Sequence, residues 1–218
     1  MNSFPQAVLF DLDGVLVDTA VFHFQAWRQL ANQLGFDFTE HQNEQLKGIP
    51  RMESLDRILG WGGVTLSPAQ KDHWASVKNE WYLERVRQMT PADVLPGARE
   101  LLLDLRAAGI RTALGSASKN ARLILQRTDL LPLLDAVIDG THTSKGKPDP
   151  EVFLLGADAL GVPPASCVVV EDAVAGVEAA HRGGMKAVGI GAASILHQAD
   201  VTVPTIADLT RTVLQSMA

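Results

Sequence analysis

One cysteine among 218 residues excludes an internal disulfide. Its place in the apolar run Cys167-Val168-Val169-Val170 points to a buried, inert thiol and a reducing, cytoplasmic setting. The amino terminus has no basic region, and no apolar stretch approaches the roughly 20 residues that cross a bilayer, so no membrane partner is expected. Clusters of Lys and Arg are also missing, and with a formal charge of -6 the chain is a poor match for nucleic acid, whose phosphates are met by grouped cations. An anionic small molecule would instead need a few local cations, backbone N–H groups and a bound metal working against the overall field. Internal repeats and low-complexity segments are lacking too, and Pro and Gly fall at element ends rather than in a long linker.

What is present is enough apolar material, 46% of residues, for one large domain or a domain with a smaller partner. Ala7-Val8-Leu9-Phe10 is a short apolar run ending at Asp11, the pattern of a buried strand that delivers acids from its carboxyl end. From about Thr19 to Thr90 the spacing turns helical, as in His23, Trp27, Leu30 and Leu34. Within that stretch Ser67-Pro68-Ala69-Gln70 combines a capping serine, a proline at the first helical position and a glutamine three residues after the cap, the start of a long helix. Beyond Leu95-Pro96-Gly97, helices alternate with the runs RTALGS, DAVID, CVVVED and KAVGIG, which read as parallel strands. The expected fold is α/β: a doubly wound, Rossmann-like core of residues 1–14 and 91–218, with a helical cap of residues 15–90 inserted and a hinge at the two crossings.

In open α/β sheets ligands gather beyond the carboxyl ends of the strands. The residues ending each run there are Asp11 and Asp13, Ser116, Lys147 in the segment GKPDP, and Glu171 with Asp172. Four carboxylates converging on one pocket repel one another unless a cation compensates, and an all-oxygen set suits magnesium better than zinc or copper. With a phosphoryl group bound, Lys147 and the metal would neutralise its oxygens, Ser116 would orient it, and Asp11, nearest the strand end, would attack phosphorus in line. Asp13, two residues on, fits a general acid and base for the leaving oxygen, and Gly14 lets the chain turn after it.

The strings DLDGVLVDT, GSASKN, GKPDP and VVVEDAVAG resemble, in order, the four motifs of haloacid dehalogenase-type phosphotransferases. His23 with Trp27 in HFQAW, NEQLKGIPR, Lys78-Asn79, TPADVLPG and SASKN narrow the resemblance to the β-phosphoglucomutase branch, over nearly the whole chain. The resemblance implies that Asp11 is phosphorylated and that Asp11, the Asp13 carbonyl, Glu171 and Asp172 surround magnesium. Ser116 and Lys147 would hold the transferring phosphate. In the cap, Thr19, His23, Lys47, Gly48, Arg51, Ser54 and Lys78 match positions that close over a phosphorylated sugar, the expected partner. Arg51, with Ser118, Lys119 and Asn120 from the core segment that also holds Ala117, would grip the phosphate not being transferred. Ser118 also has the type of a helix N-cap. Pro50 replaces a small polar residue common before that arginine, and GKPDP and EDAVAG are nearer the superfamily's phosphatase form.

Blander roles compete with several of these. Asp11 and Asp13 alone would more often cap a helix or lie on a solvated loop, Glu171-Asp172 would suit a helix start, and Arg51 and Lys78 have the character of surface charges. Trp27, on the same helical face as His23, has the character of core or hinge packing, and Met52, Met89 and Trp81 read as packing groups. The three readings that remain are a monomeric phosphomutase isomerising a sugar phosphate, a sugar-phosphate phosphatase on the same fold, and a non-catalytic phosphosugar-binding module.

Overall fold

Four successive apolar residues have no polar face to show to water, so a strand made of them must be covered on both sides. Ala7–Phe10 (β1) meets that demand, with all four side chains fully buried at the centre of a six-stranded sheet. The computed structural model describes residues 4–217. In it β1 is flanked by Arg111–Gly115 (β2) and Cys167–Glu171 (β4), Ala136–Ile138 (β3) pairs outside β2, and Lys186–Ile190 (β5) and Val201–Val203 (β6) extend the far side. All five pairings are parallel, in the order β3-β2-β1-β4-β5-β6.

Alternation along each strand divides the core into two layers. Val8, Phe10, Leu114, Val168, Val170 and Val188 face one side, where Ala98–Ala107 (α5), Ala121–Arg127 (α6) and Arg211–Gln215 (α9) contribute Leu102, Ile124 and Leu214. Leu9, Ala113, Val169 and Ala187 face the other, covered by Phe153 of Glu151–Leu160 (α7) and Val177 of Val174–Arg182 (α8). The doubly wound parallel sheet is therefore as expected. Cys167 is buried in the second layer with Sγ 3.5 Å from the Pro163 carbonyl, and burial pushes its thiol up to about 11.

Between β1 and α5 the chain builds four α-helices, Ala20–Gln33 (α1), Glu40–Glu44 (α2), Arg51–Gly62 (α3) and Pro68–Val86 (α4). Their apolar faces make a third cluster around Trp27, Leu30, Phe38, Leu55 and Ile58. Helix α4 starts as its sequence demands: Ser67 Oγ accepts from the Gln70 N–H at 3.4 Å and the Gln70 side chain accepts from the Ser67 N–H at 2.9 Å. The strands entering and leaving this helical segment run side by side, with the Leu95 N–H donating to the Leu16 carbonyl at 2.9 Å and Val17 bridged to Val94.

Two sequence expectations fail here. Strand β6 was not foreseen, because three residues at a sheet edge, one of them threonine, carry no apolar run. Met52 is 40% exposed on α3 instead of packed, whereas Met89 is buried and Trp81 packs at the margin of two clusters. No helix among the described residues is long and apolar enough to cross a membrane. Replacing Ser67 by Ala removes the α4 cap without touching the sheet edge, and is expected to lower stability by about 1 kcal/mol. The urea midpoint should fall with an unchanged denaturant slope.

Candidate active site

The chain leaves β1 with the Asp11 N–H donating to the Val170 carbonyl at 3.0 Å, which brings Asp11 level with the end of β4. It then turns through Gly14, at φ +80°, where a Cβ would lie 2.6 Å from Asp172 Cγ. Only glycine lets the loop after Asp13 press against Asp172. Gly176 plays the same part for Glu171, whose Cγ would be 2.6 Å from an added Cβ. Asp11, Glu171 and Asp172 thereby converge, each offering a carboxylate oxygen within 4.8 Å of the others.

Lys147 reaches this cluster from the loop between β3 and α7 and is almost wholly buried. Its Nζ donates to Asp11 Oδ1 at 2.6 Å, Glu171 Oε1 at 2.6 Å and the Gly115 carbonyl at 3.1 Å, using all three ammonium protons. Burial alone would lower the Lys147 pKa, but Asp11 and Glu171 more than reverse that and hold the amine charged. A single ammonium does not balance the site. Burial, with Asp11 and Asp172 adding to it and Lys147 opposing, pushes Glu171 up to about 7. Burial likewise pushes Asp172 up to about 6, against the pull of Lys47, whose Nζ lies 3.0 Å from Asp172 Oδ2. An oxygen-only set with uncompensated buried charge is what a hard divalent cation relieves, so these residues fit magnesium.

Asp13 is supported from behind. Thr19 Oγ1 donates to Asp13 Oδ1, and the Tyr82 hydroxyl donates to Thr19 Oγ1 at 3.3 Å. Burial, then the neighbouring charge of Asp11, pushes the Asp13 carboxyl up to about 7, with the Thr19 hydrogen bond opposing. A carboxyl near neutrality can both give and take a proton. Thr19 is fully buried and Glu171 nearly so; neither borders the cavity, the one lying behind Asp13 and the other behind Lys147.

A cavity of about 270 Å³ separates the sheet edge from the helical segment. Asp11, Asp13, Lys147, Asp172 and the run Ser116-Ala117-Ser118-Lys119-Asn120 line one wall; His23, Trp27, Lys47, Gly48, Arg51, Ser54 and Lys78 line the other. Lys78 is no surface charge. It is 2% exposed, with Nζ 3.0 Å from His23 Nδ1, 4.2 Å from the Trp27 ring centre and 5.0 Å from that of Tyr82. Burial and the nearby Arg51 charge hold its pKa well below the usual lysine value, and burial with both cations does the same to His23. Trp27 belongs at once to the cavity wall and to the helical cluster. Ser54 turns its hydroxyl to the Ile49 carbonyl at 3.3 Å.

Ser118 is not a helix N-cap: α6 begins at Ala121 with Asn120 before it, and Ser118 Oγ instead accepts from the Asn120 N–H at 3.2 Å in an extra turn. Glu171 and Asp172 start no helix either, since β4 ends at Glu171 and α8 begins at Val174. Two contributors went unforeseen. Asn79 accepts from Asn120 Nδ2 at 3.0 Å, tying α4 to the sheet edge. Tyr82 closes the chain of hydroxyls onto Asp13; its only sequence signal is its place four residues after Lys78, on the same helical face.

Known proteins resemble this chain in sequence and in fold. Residues 5–184 match the family described as haloacid dehalogenase-like hydrolase. The chain is 44% identical over 207 residues to the β-phosphoglucomutase of Bacillus subtilis, covering 94% of this chain and 92% of that one. It is 33% identical over 186 residues to the phosphorylated carbohydrates phosphatase of Thermotoga maritima, covering 83% and 82%. The crystal structure of β-phosphoglucomutase from Clostridium difficile superposes with a TM-score of 0.94 at 40% identity, over 97% of this chain and 96% of that one.

Lys147→Met would leave Asp11 and Glu171 buried without their cation. In metal-free buffer this is expected to cost about 3–5 kcal/mol by urea unfolding, and excess magnesium should recover part of the loss.

Proposed function

The chain belongs to the haloacid dehalogenase-like hydrolase family, and from that membership we propose that it is a phosphomutase. It interconverts β-glucose 1-phosphate and glucose 6-phosphate through a phosphorylated Asp11 and a bound glucose 1,6-bisphosphate. The observation that carries this reading is the second set of anion-binding groups: Arg51, Ser118, Lys119 and Asn120 border the cavity in addition to the Asp11, Ser116 and Lys147 set. One phosphate needs only one such set, whereas a bisphosphate needs two. The 44% identity to a β-phosphoglucomutase points the same way.

In the forward direction the phosphoryl group on Asp11 passes to the sugar 6-hydroxyl. The P–O bond to Asp11 breaks, a P–O bond to the hydroxyl oxygen forms, and Asp13 takes the hydroxyl proton. The bisphosphate then reorients, Asp11 attacks the phosphorus on O1, and Asp13 returns the proton to the departing O1 to leave glucose 6-phosphate. Lys147 holds Asp11 and the phosphoryl oxygens, Ser116 orients the group, and Arg51 with the Ser118–Asn120 turn retains the other phosphate. Magnesium, held by Asp11, the Asp13 carbonyl, Glu171 and Asp172, would supply charge neutralisation at the transferring oxygens. Thr19 and Tyr82 fix the Asp13 carboxyl, and His23 with Lys78 bears on the sugar.

The same reading divides the chain into a core of residues 1–14 and 91–218 and a cap of residues 15–90, hinged where the paired Val17 and Val94 strands cross. It places the enzyme in the cytoplasm as a monomer. A phosphatase is the second reading, favoured by the form of GKPDP and EDAVAG and by the 33% identity to a sugar-phosphate phosphatase. There water replaces the sugar hydroxyl. A product assay with β-glucose 1-phosphate, magnesium and a trace of glucose 1,6-bisphosphate separates them: glucose 6-phosphate is expected, and inorganic phosphate as the main product rejects the mutase. Arg51→Ala should lower bisphosphate-dependent turnover about 10- to 100-fold, the worth of one charged hydrogen-bonding group, while hydrolysis of a small monophosphate should hardly change.

A further inference from the structure

Gly146 immediately precedes Lys147, and Pro50 immediately precedes Arg51 at the start of α3; both line the cavity. They meet across it. A Cβ on Gly146 would lie 2.5 Å from Pro50 Cδ and closer still to its Cγ, while Pro50 Cβ is 3.9 Å away. Gly146 is not among the glycines at positive φ, so its own backbone would accept alanine. What requires glycine is the proline ring opposite. Pro50 in turn is a rigid abutment: its φ is fixed, here at -60°, and it has no N–H to leave unpaired at the contact. Beside this apolar stop the segment before α3 makes two further contacts with the sheet edge, one to the Lys147 loop and one to the loop after β4. Lys47 Nζ pairs with Asp172, and a Cβ at Gly48 would be 3.6 Å from Lys147 Cδ.

We infer that Pro50 and Gly146 are positioning residues that set how deeply the helical segment seats over Lys147, and that this depth decides whether the phosphoryl group on Asp11 passes to sugar or to water. The inference rests on the mutase reading and deepens it. Both fates break the P–O bond to Asp11 and give a proton to Asp13; they differ only in whether the new bond to phosphorus is made by a sugar hydroxyl or by water, which releases inorganic phosphate. Carbon atoms in contact need about 3.5–4.0 Å, so a methyl at 146 would lift the proline by roughly 1 Å. A displacement of that size can cost about 10²-fold in a positioned reaction, and it widens the cleft that excludes water.

The test is a cycle of the full-length protein, Gly146→Ala, Pro50→Ala and the double variant, since Pro50→Ala removes the two ring carbons that obstruct. Each is assayed with β-glucose 1-phosphate, magnesium and a trace of glucose 1,6-bisphosphate for both products, and by amide hydrogen exchange over residues 116–120 and 144–147. Gly146→Ala is expected to raise the ratio of inorganic phosphate to glucose 6-phosphate about 10- to 100-fold and to speed exchange in both segments. In the Pro50→Ala background the same change should alter neither by more than about 2-fold. Equal effects with and without the proline overturn the inference, as does a lowered unfolding midpoint with neither readout moved. If the unaltered protein makes only inorganic phosphate, the mutase reading and the claim about product fate fall together, and the seat itself stands or falls on the exchange comparison.

Discussion

Negative charge gathered at a dehydrated sheet edge is the constraint that organises this protein. Asp11, Asp13, Glu171 and Asp172 stand where water is scarce: burial, with the charge of Asp11 adding to it, raises the cost of ionising the other three. Lys147 answers part of that cost from the centre of the cluster, with two carboxylates and a carbonyl at its three protons. Its loop is held in turn by Glu151, which accepts from the Ser144 and Lys145 N–H groups at 2.9 and 2.7 Å. Gly14 and Gly176 are small because the acids need their space. The remaining imbalance suits the edge to a divalent cation and, on the proposed function, to a phosphoryl group whose own charge needs the same neutralisation.

The helical segment brings the opposite charge over that edge. Lys47 pairs directly with Asp172, while Lys78 is buried against His23, Trp27 and Tyr82, where its charge is poorly solvated until an anion arrives. A cavity walled by carboxylates below and by cations above is suited to a ligand that is itself anionic and arrives with a metal. It is also suited to excluding water, because the upper wall meets the lower one at three places: Lys47 on Asp172, Asn79 on Asn120, Pro50 on Gly146. On the proposed mechanism, transfer to a sugar and transfer to water use the same acids and differ in this exclusion.

The sequence by itself determined the parts governed by neighbours along the chain. Buried parallel strands need unbroken apolar runs, so β1 to β5 were legible; the Ser67 cap acts over three residues, so the start of α4 was legible; and loops at the carboxyl ends of strands must carry Asp11, Asp13, Ser116 and Glu171-Asp172. Even Lys147 could be assigned to the sheet edge from its place after the third strand. Tertiary structure alone decided what depends on approach through space. Ser118 has the chemistry of a cap but lies two residues too early to be one, β6 exists only because β5 offers it an edge, and Met52 faces water because α3 turns its other side to Leu30 and Phe38. Tyr82 behind Asp13, Asn79 against Asn120 and Pro50 against Gly146 join residues 41 to 96 positions apart whose types announce nothing, because a close approach between two surfaces is a property of how they are packed and leaves no periodicity in either strand of sequence.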